Sequence, residues 1–278
     1  MANVLVRALT LLALSLPLAR AAEAQTAPKV TEIGTAPRSF LFVGNSFFYY
    51  NNSMHSVFMD FVRTANKAEA ATYRATSATI SGSGLNWHDM EAYLKPGGMA
   101  SYSFVGDNEV VFNSFDKPFD VVVMNDCSQC PVHPKLSGLF HEYAKKHSDA
   151  VRRHGAVPVL FMTWAYADRP EMTGRLAEQY VKAGNDNGVL VVPAGLAYAK
   201  ALAAKPDLVL YAPDKRHPSP AGTYLGAATL YAAIFRQSPV GSPVRTAGVD
   251  AETAKLLQSV AWDTVREFYG PQFASARK

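Results

Sequence analysis

The order of its apolar runs constrains this chain more than any other feature. Four short runs rich in β-branched and aromatic residues, at 39–43 (SFLFV), 119–124 (FDVVVM), 158–162 (PVLFM) and 189–192 (VLVV), are each followed by a longer stretch with helical spacing. The helical stretches fall at 52–68, with Met54, Val57, Phe58 and Phe61 on one side; at 135–154, with Leu139, Phe140 and Tyr143 inward; and at 171–183, 197–204, 220–235 and 252–268. Further strands are expected at 71–80 and 208–212, and a short helix carrying Trp87 and Tyr93. Residues 100–114 read as a small hairpin or an irregular insertion, and 238–244 as a connection to the last helix. A run that is apolar at every position is buried on both faces, so the alternation implies a mainly parallel sheet with helices on both sides. Ligands of such sheets bind beyond the C-terminal ends of the strands, where the strand order reverses.

Composition narrows the classes. With 49% hydrophobic and 18% charged residues the chain can build a core, which excludes a disordered tail. A net charge of +4 without a Lys/Arg cluster gives no case for nucleic acid. Two cysteines cannot staple a disulfide-dense scaffold.

The first residues have the layout of a cleaved export signal. Arg7 precedes an apolar stretch at 8–18, followed by two A-x-A patterns ending at Ala21 and Ala24. The stretch is shorter than the roughly 20 residues a membrane-spanning helix needs. The expected division is a signal peptide at 1–24, a flexible segment at 25–37 and a single domain at 38–278. The expected location is the periplasm or the exterior, an oxidising space, without stable membrane insertion.

Candidate chemistry falls directly after strands. Gly44-Asn45-Ser46 follows SFLFV; glycine permits a tight turn that would lift Ser46 over the sheet edge beside outward-pointing amides. Asp214-Lys215-Arg216-His217 lies late in the chain, where a tight loop can set Asp214 on His217 Nδ1 and leave Nε2 as a base for Ser46. Ser219 and Pro220 suit a helix cap and first turn, which would stiffen the loop that carries the imidazole. Asn125 follows FDVVVM and could donate its amide to a developing oxyanion, as could the backbone of Gly82 in Ser81-Gly82-Ser83-Gly84. Each feature alone is also what an ordinary turn contains. Together they supply nucleophile, base, orienting acid and anion hole.

The ordered set resembles the SGNH/GDSL-type hydrolases, within them the subgroup with GNS in the first block. LFVGNSFFYYNN resembles the nucleophile block, with Ser46 the matching serine. SGSGLNWH resembles the second block, with Gly82 the better match and Gly84 the alternative. VVVMNDCSQ resembles the third, placing Asn125 as side-chain oxyanion donor, and DKRHPSPAGTYLGAA the last, with Asp214 and His217 as acid and base. The resemblance implies a flavodoxin-like three-layer α/β/α sandwich. It also implies hydrolysis of carboxylic esters, often acetyl groups on carbohydrates, with no metal or organic cofactor. Two positions depart from the pattern: Asn45 replaces the more familiar aspartate, and Val123 stands where glycine commonly precedes the third-block asparagine.

Other residues offer rival readings. Cys127-Ser128-Gln129-Cys130 could be a thiol–disulfide exchange centre, or a small disulfide bracing the Asn125 loop. A third class is a carbohydrate-binding protein without catalysis. His133, His147 and His154 read as solvated; His88 either lines the cleft or makes a structural hydrogen bond. Trp87 and Trp164 read as core aromatics, with sugar-facing walls as the alternative.

Overall fold

The computed structural model describes residues 27–99 and 101–273; the signal-peptide reading at 1–24 lies outside the described residues. Among the described residues, fifteen α-helices and β-strands follow one another in chain order: β1 (Ser39–Gly44), α1 (Ser46–Tyr49), α2 (Met54–Ala65), β2 (Arg74–Thr79), α3 (Met90–Leu94), β3 (Tyr102–Gly106), β4 (Glu109–Phe112), β5 (Val121–Met124), α4 (Ser137–Arg153), β6 (Val157–Phe161), α5 (Met172–Asn187), β7 (Leu190–Val192), α6 (Ala194–Ala204), α7 (Pro220–Phe235) and α8 (Ala251–Tyr269). Five strands form a parallel sheet in the order β2-β1-β5-β6-β7.

Strand alternation sends successive side chains to opposite faces, and two separate cores result. Phe40, Phe42, Val121, Val123, Val159, Phe161, Leu190 and Val192 pack beneath α2, α6, α7 and α8. Leu41, Val43, Val122, Met124, Leu160 and Val191 pack beneath α3, α4 and α5. The chain is therefore a three-layer α/β/α sandwich. Helix α7 is buried from Ala221 to Ile234, as a helix apolar on every side must be. Its start is fixed by Ser219, whose hydroxyl accepts from the Gly222 amide, and by Pro220 in the first turn. Asp250 caps α8 in the same way, and Gly188, left-handed at φ +62°, ends α5.

Three sequence expectations need correction. Residues 208–212 do not form a strand; Tyr211 makes one isolated bridge to Pro218. Leu139 is exposed on α4, because the helix turns Phe140, Ala144 and His147 inward instead. His147 is buried: its Nε2 meets the Leu85 carbonyl at 2.8 Å, so the polar look of this helix hid an inward histidine. Residues 100–114 take the hairpin alternative, with β3 and β4 paired antiparallel outside the main sheet.

β1 lies between β2 and β5, so the chain leaves β1 in one direction and returns on its other side at β5. The turns after β1, β2 and β5 therefore meet at one point of the C-terminal rim, the switch point where a crevice is expected.

Candidate active site

The turn after β1 is built on a glycine with no room for a side chain. A Cβ at Gly44 would overlap Asn125 Oδ1. Asn45 then caps α1 by accepting from the Phe47 amide, at 3.1 Å. Its Nδ2 donates to two buried carbonyls, Ser83 at 2.9 Å and Asp126 at 3.1 Å. One side chain thus ties together the turns after β1, β2 and β5. An aspartate at this position has no N–H to offer these carbonyls, which gives the departure from the familiar motif a physical meaning.

Ser46 is the first residue of α1, so its amide is among the helix donors without an intrahelical acceptor. The Ser46 Oγ lies 2.8 Å from His217 Nε2. On the other side of the ring, His217 Nδ1 donates to Asp214 Oδ2, which fixes the tautomer with Nε2 as acceptor. Asp214 Oδ1 accepts from the Arg216 and His217 amides, both at 3.0 Å. Burial pushes the Asp214 carboxyl up, but the His217 ring and these two amides outweigh it and hold its pKa at about 2. It remains an anion, the form that orients an imidazole and stabilises an imidazolium.

Two aromatic rings flank the partly exposed imidazole. Tyr50 stacks on its face, with centroids 4.3 Å apart and planes 5° from parallel. Phe47 meets it edge-on at 5.8 Å and stacks on Trp164, which stacks on Tyr198. Trp164 is fully buried, and its Nε1–H donates to the Arg216 carbonyl at 2.9 Å. Asn51 Nδ2 donates to the Pro218 carbonyl and the Thr223 hydroxyl, each at 2.8 Å, and so clasps the histidine loop to the nucleophile segment. Asn51, Asn52 and Ser53 all have positive φ, a strained turn for three non-glycine residues in sequence. Tyr50 and Asn51 were not legible as site residues; Trp164 takes its core reading and also supports the histidine loop. The only sequence signal was the YYNN that trails the nucleophile block, since tandem asparagines tolerate left-handed backbone.

The two remaining candidates are placed differently. Gly82 lies at an exposed turn with φ +71°, and a Cβ there would meet nothing within 4 Å. Gly84 is buried against Asp126. Asn125 lies behind the nucleophile turn, fully buried, with neither amide atom hydrogen-bonded. A buried unpaired amide costs about 1–3 kcal/mol. Its Nδ2 is thus an uncommitted donor beside the turn that carries Ser46.

A second serine–histidine contact occurs nearby. Ser83 Oγ lies 3.0 Å from His88 Nε2. Ser83 is fully buried, its hydroxyl donates to the Gly44 carbonyl, and His88 Nδ1 faces the Tyr93 hydroxyl at 3.3 Å, not a carboxylate. Burial, with His147 adding to it, pushes the His88 pKa down to about 4 despite a backbone hydrogen bond at Gly44. This pair supports the turn and takes the structural reading of His88. Trp87 beside it is 59% exposed, against the core reading, because its short helical turn points it off the surface.

The carboxyl of Asp126 accepts from the Leu85 and Cys127 amides, both at 2.8 Å, yet burial still raises its pKa to about 6. Cys127 and Cys130 form a disulfide, and Ser128 between them contacts the Tyr166 hydroxyl at 2.6 Å. Among the described residues no group of three or more His, Cys, Asp or Glu side chains is placed to hold a metal ion, and no helix is long and apolar enough to cross a membrane.

No protein-family profile matches the sequence, and no curated protein does. Solved structures do. A candidate SGNH hydrolase from Slackia heliotrinireducens is 23% identical, with a TM-score of 0.54 over 71% of this chain and 99% of its own. A DUF4886 family protein from Bacteroides uniformis is 17% identical, with a TM-score of 0.54 over 86% of this chain and 99% of its own. Likeness at this level of identity establishes a shared fold.

Proposed function

We propose that the chain is a serine-dependent hydrolase of carboxylic esters, of the SGNH type. The observation that carries the reading is the hydrogen-bonded series Ser46 Oγ to His217 Nε2 and His217 Nδ1 to Asp214, at the rim where the sheet changes direction. A hydroxyl within 2.8 Å of an acceptor nitrogen can pass its proton as it attacks.

The reaction runs in two covalent steps. His217 takes the Ser46 proton while Oγ attacks the ester carbonyl, and Asp214 stabilises the imidazolium. The oxyanion forms beside the Ser46 amide, at the start of α1, with the Gly82 amide and the unpaired Asn125 side chain as further donors. The imidazolium protonates the leaving alcohol. Water, deprotonated by the same imidazole, then releases the acid from Ser46. The stacked Tyr50 and the Asn51 clasp hold the base in position for both steps, which is what fixed geometry contributes to a rate.

We infer O-acetyl groups on carbohydrates as the substrate class and an exported location, periplasmic or secreted. Tyr49, exposed beside the Tyr50 ring that covers His217, offers an aromatic surface to a sugar, and a disulfide suits an oxidising space. The test is a panel of esters of graded acyl length with the purified protein and its Ser46→Ala variant. Acetyl esters should turn over fastest, and the variant should lose about 10⁴-fold or more in rate. Equal turnover by the variant would remove the mechanism; preference for long acyl chains would remove the substrate class alone.

A further inference from the structure

The hairpin β3–β4 leaves its apolar side chains uncovered. Tyr102, Phe104 and Phe112 are 58%, 73% and 76% exposed, and Val105, Val110 and Val111 are exposed as well. The register pairs Tyr102 with Phe112 and Phe104 with Val110, so these four side chains share one face. The rings already touch, with Tyr102 5.8 Å from Phe104 and 6.4 Å from Phe112. The base of the hairpin is held, not loose. Asn113 bonds to the Ser101 carbonyl and to the Ser101 and Ser103 hydroxyls, and Phe115 lies under the Arg74 guanidinium at 4.0 Å. A two-stranded sheet with a bare aromatic face and two free edges is marginal in water and invites another chain.

We propose that this aromatic face is the surface through which two copies of the chain pair, face to face about a two-fold axis. Size supports it. At about 200 Å² per aromatic side chain, the face leaves on the order of 500 Å² uncovered in each copy and on the order of 1,000 Å² in a pair, where specific interfaces begin. Charge supports it too. Between Lys95 and Lys117 the segment has no Lys or Arg, while Asp107 and Glu109 flank its turn. Two hairpins stacked antiparallel set each acidic tip toward the partner's base, where Lys117 is already paired with Asp120 and Asp116 adds a carboxylate, so Lys95, with no ion pair among the described residues, is the cation left to meet the tip. The same acidic tip is repelled by an anionic lipid surface. Self-pairing also satisfies the rule that a two-fold interface be complementary to itself.

Sedimentation equilibrium of the purified full chain at micromolar concentration tests the proposal. Wild type should be a dimer. Phe104→Ser with Phe112→Ser, both exposed and away from Ser46, should raise the dimer dissociation constant more than about tenfold with ester hydrolysis and circular dichroism unchanged. Glu109→Lys should weaken pairing, and adding Lys95→Glu should restore it. A monomeric wild type, or a double variant that stays dimeric, overturns the proposal; a monomer that co-sediments with phosphatidylglycerol vesicles overturns it in favour of a lipid surface. None of these outcomes bears on the Ser46 mechanism.

Discussion

Replacing Asn45 by aspartate should cost this protein far more than one changed atom suggests. The Asn45 amide is 3% exposed and donates to the Ser83 and Asp126 carbonyls, while its oxygen accepts from Phe47. Aspartate keeps the acceptor and loses both donors, leaving two buried carbonyls facing a carboxylate. Each unmet buried group costs about 1–3 kcal/mol, so the loss should total roughly 2–6 kcal/mol. For a domain of this size that lowers the melting temperature by about 2–4 °C per kcal/mol. A protonated carboxyl regains one donor, so part of the loss should return in acid. Urea unfolding of wild type, Asn45→Asp and Asn45→Ala at pH 8 and pH 5 reads all three terms. At pH 8 the aspartate variant should be the least stable; at pH 5 it should approach or pass the alanine variant. An aspartate variant as stable as wild type at pH 8 would falsify the claim that these donors lock the three turns together.

Other consequences follow from neighbouring residues. Asn125→Ala removes an amide with no hydrogen bonds, so stability should change by less than about 1–2 kcal/mol while kcat falls about 10²–10³-fold; a large stability loss with kcat intact would show the side chain to be structural. Asn51→Ala should cut the clasp to Pro218 and Thr223 and lower kcat about tenfold or more with KM little changed, which steady-state kinetics on a small acetyl ester can read. Acid should act on two buried groups with opposite signs. His88 titrates near 4 when folded against 6.5 ordinarily, so the unfolded chain binds its proton first and stability falls as pH drops through that window. Asp126 titrates near 6 against 3.8, so the folded chain binds its proton first and stability rises over the overlapping window. Each contribution is up to about 3 kcal/mol. Relative to wild type, His88→Gln should therefore gain stability on acidification and Asp126→Asn should lose it, measured by urea midpoints from pH 8 to pH 4.

The layered architecture was legible because its signal is periodic. Short runs rich in β-branched residues such as FDVVVM are strong signals of buried strands, and the caps at Ser219 and Gly188 mark helix ends by backbone chemistry that needs no tertiary context. The place of Ser46 was readable for a related reason, since it follows β1 directly; the Asp214–His217 loop follows no strand of the sheet and is brought to Ser46 by contacts of its own, Asn51 to the Pro218 carbonyl and Trp164 to the Arg216 carbonyl. What the sequence hid is set by long-range contacts. The burial of His147 depends on a carbonyl 62 residues away, and the packing around His217 on Phe47 of α1 and Tyr50 just after it. Trp87 shows the opposite failure: its apolar type implies a core position, while the turn that carries it faces solvent.

The central claim is that Ser46, and not the neighbouring Ser83, is the nucleophile. Labelling with a fluorophosphonate, followed by intact-mass and peptide mass spectrometry, addresses it directly. One adduct per chain on Ser46 is expected, absent in Ser46→Ala and strongly slowed in His217→Ala. An adduct on Ser83, or labelling that persists when Ser46 is replaced, would contradict the account.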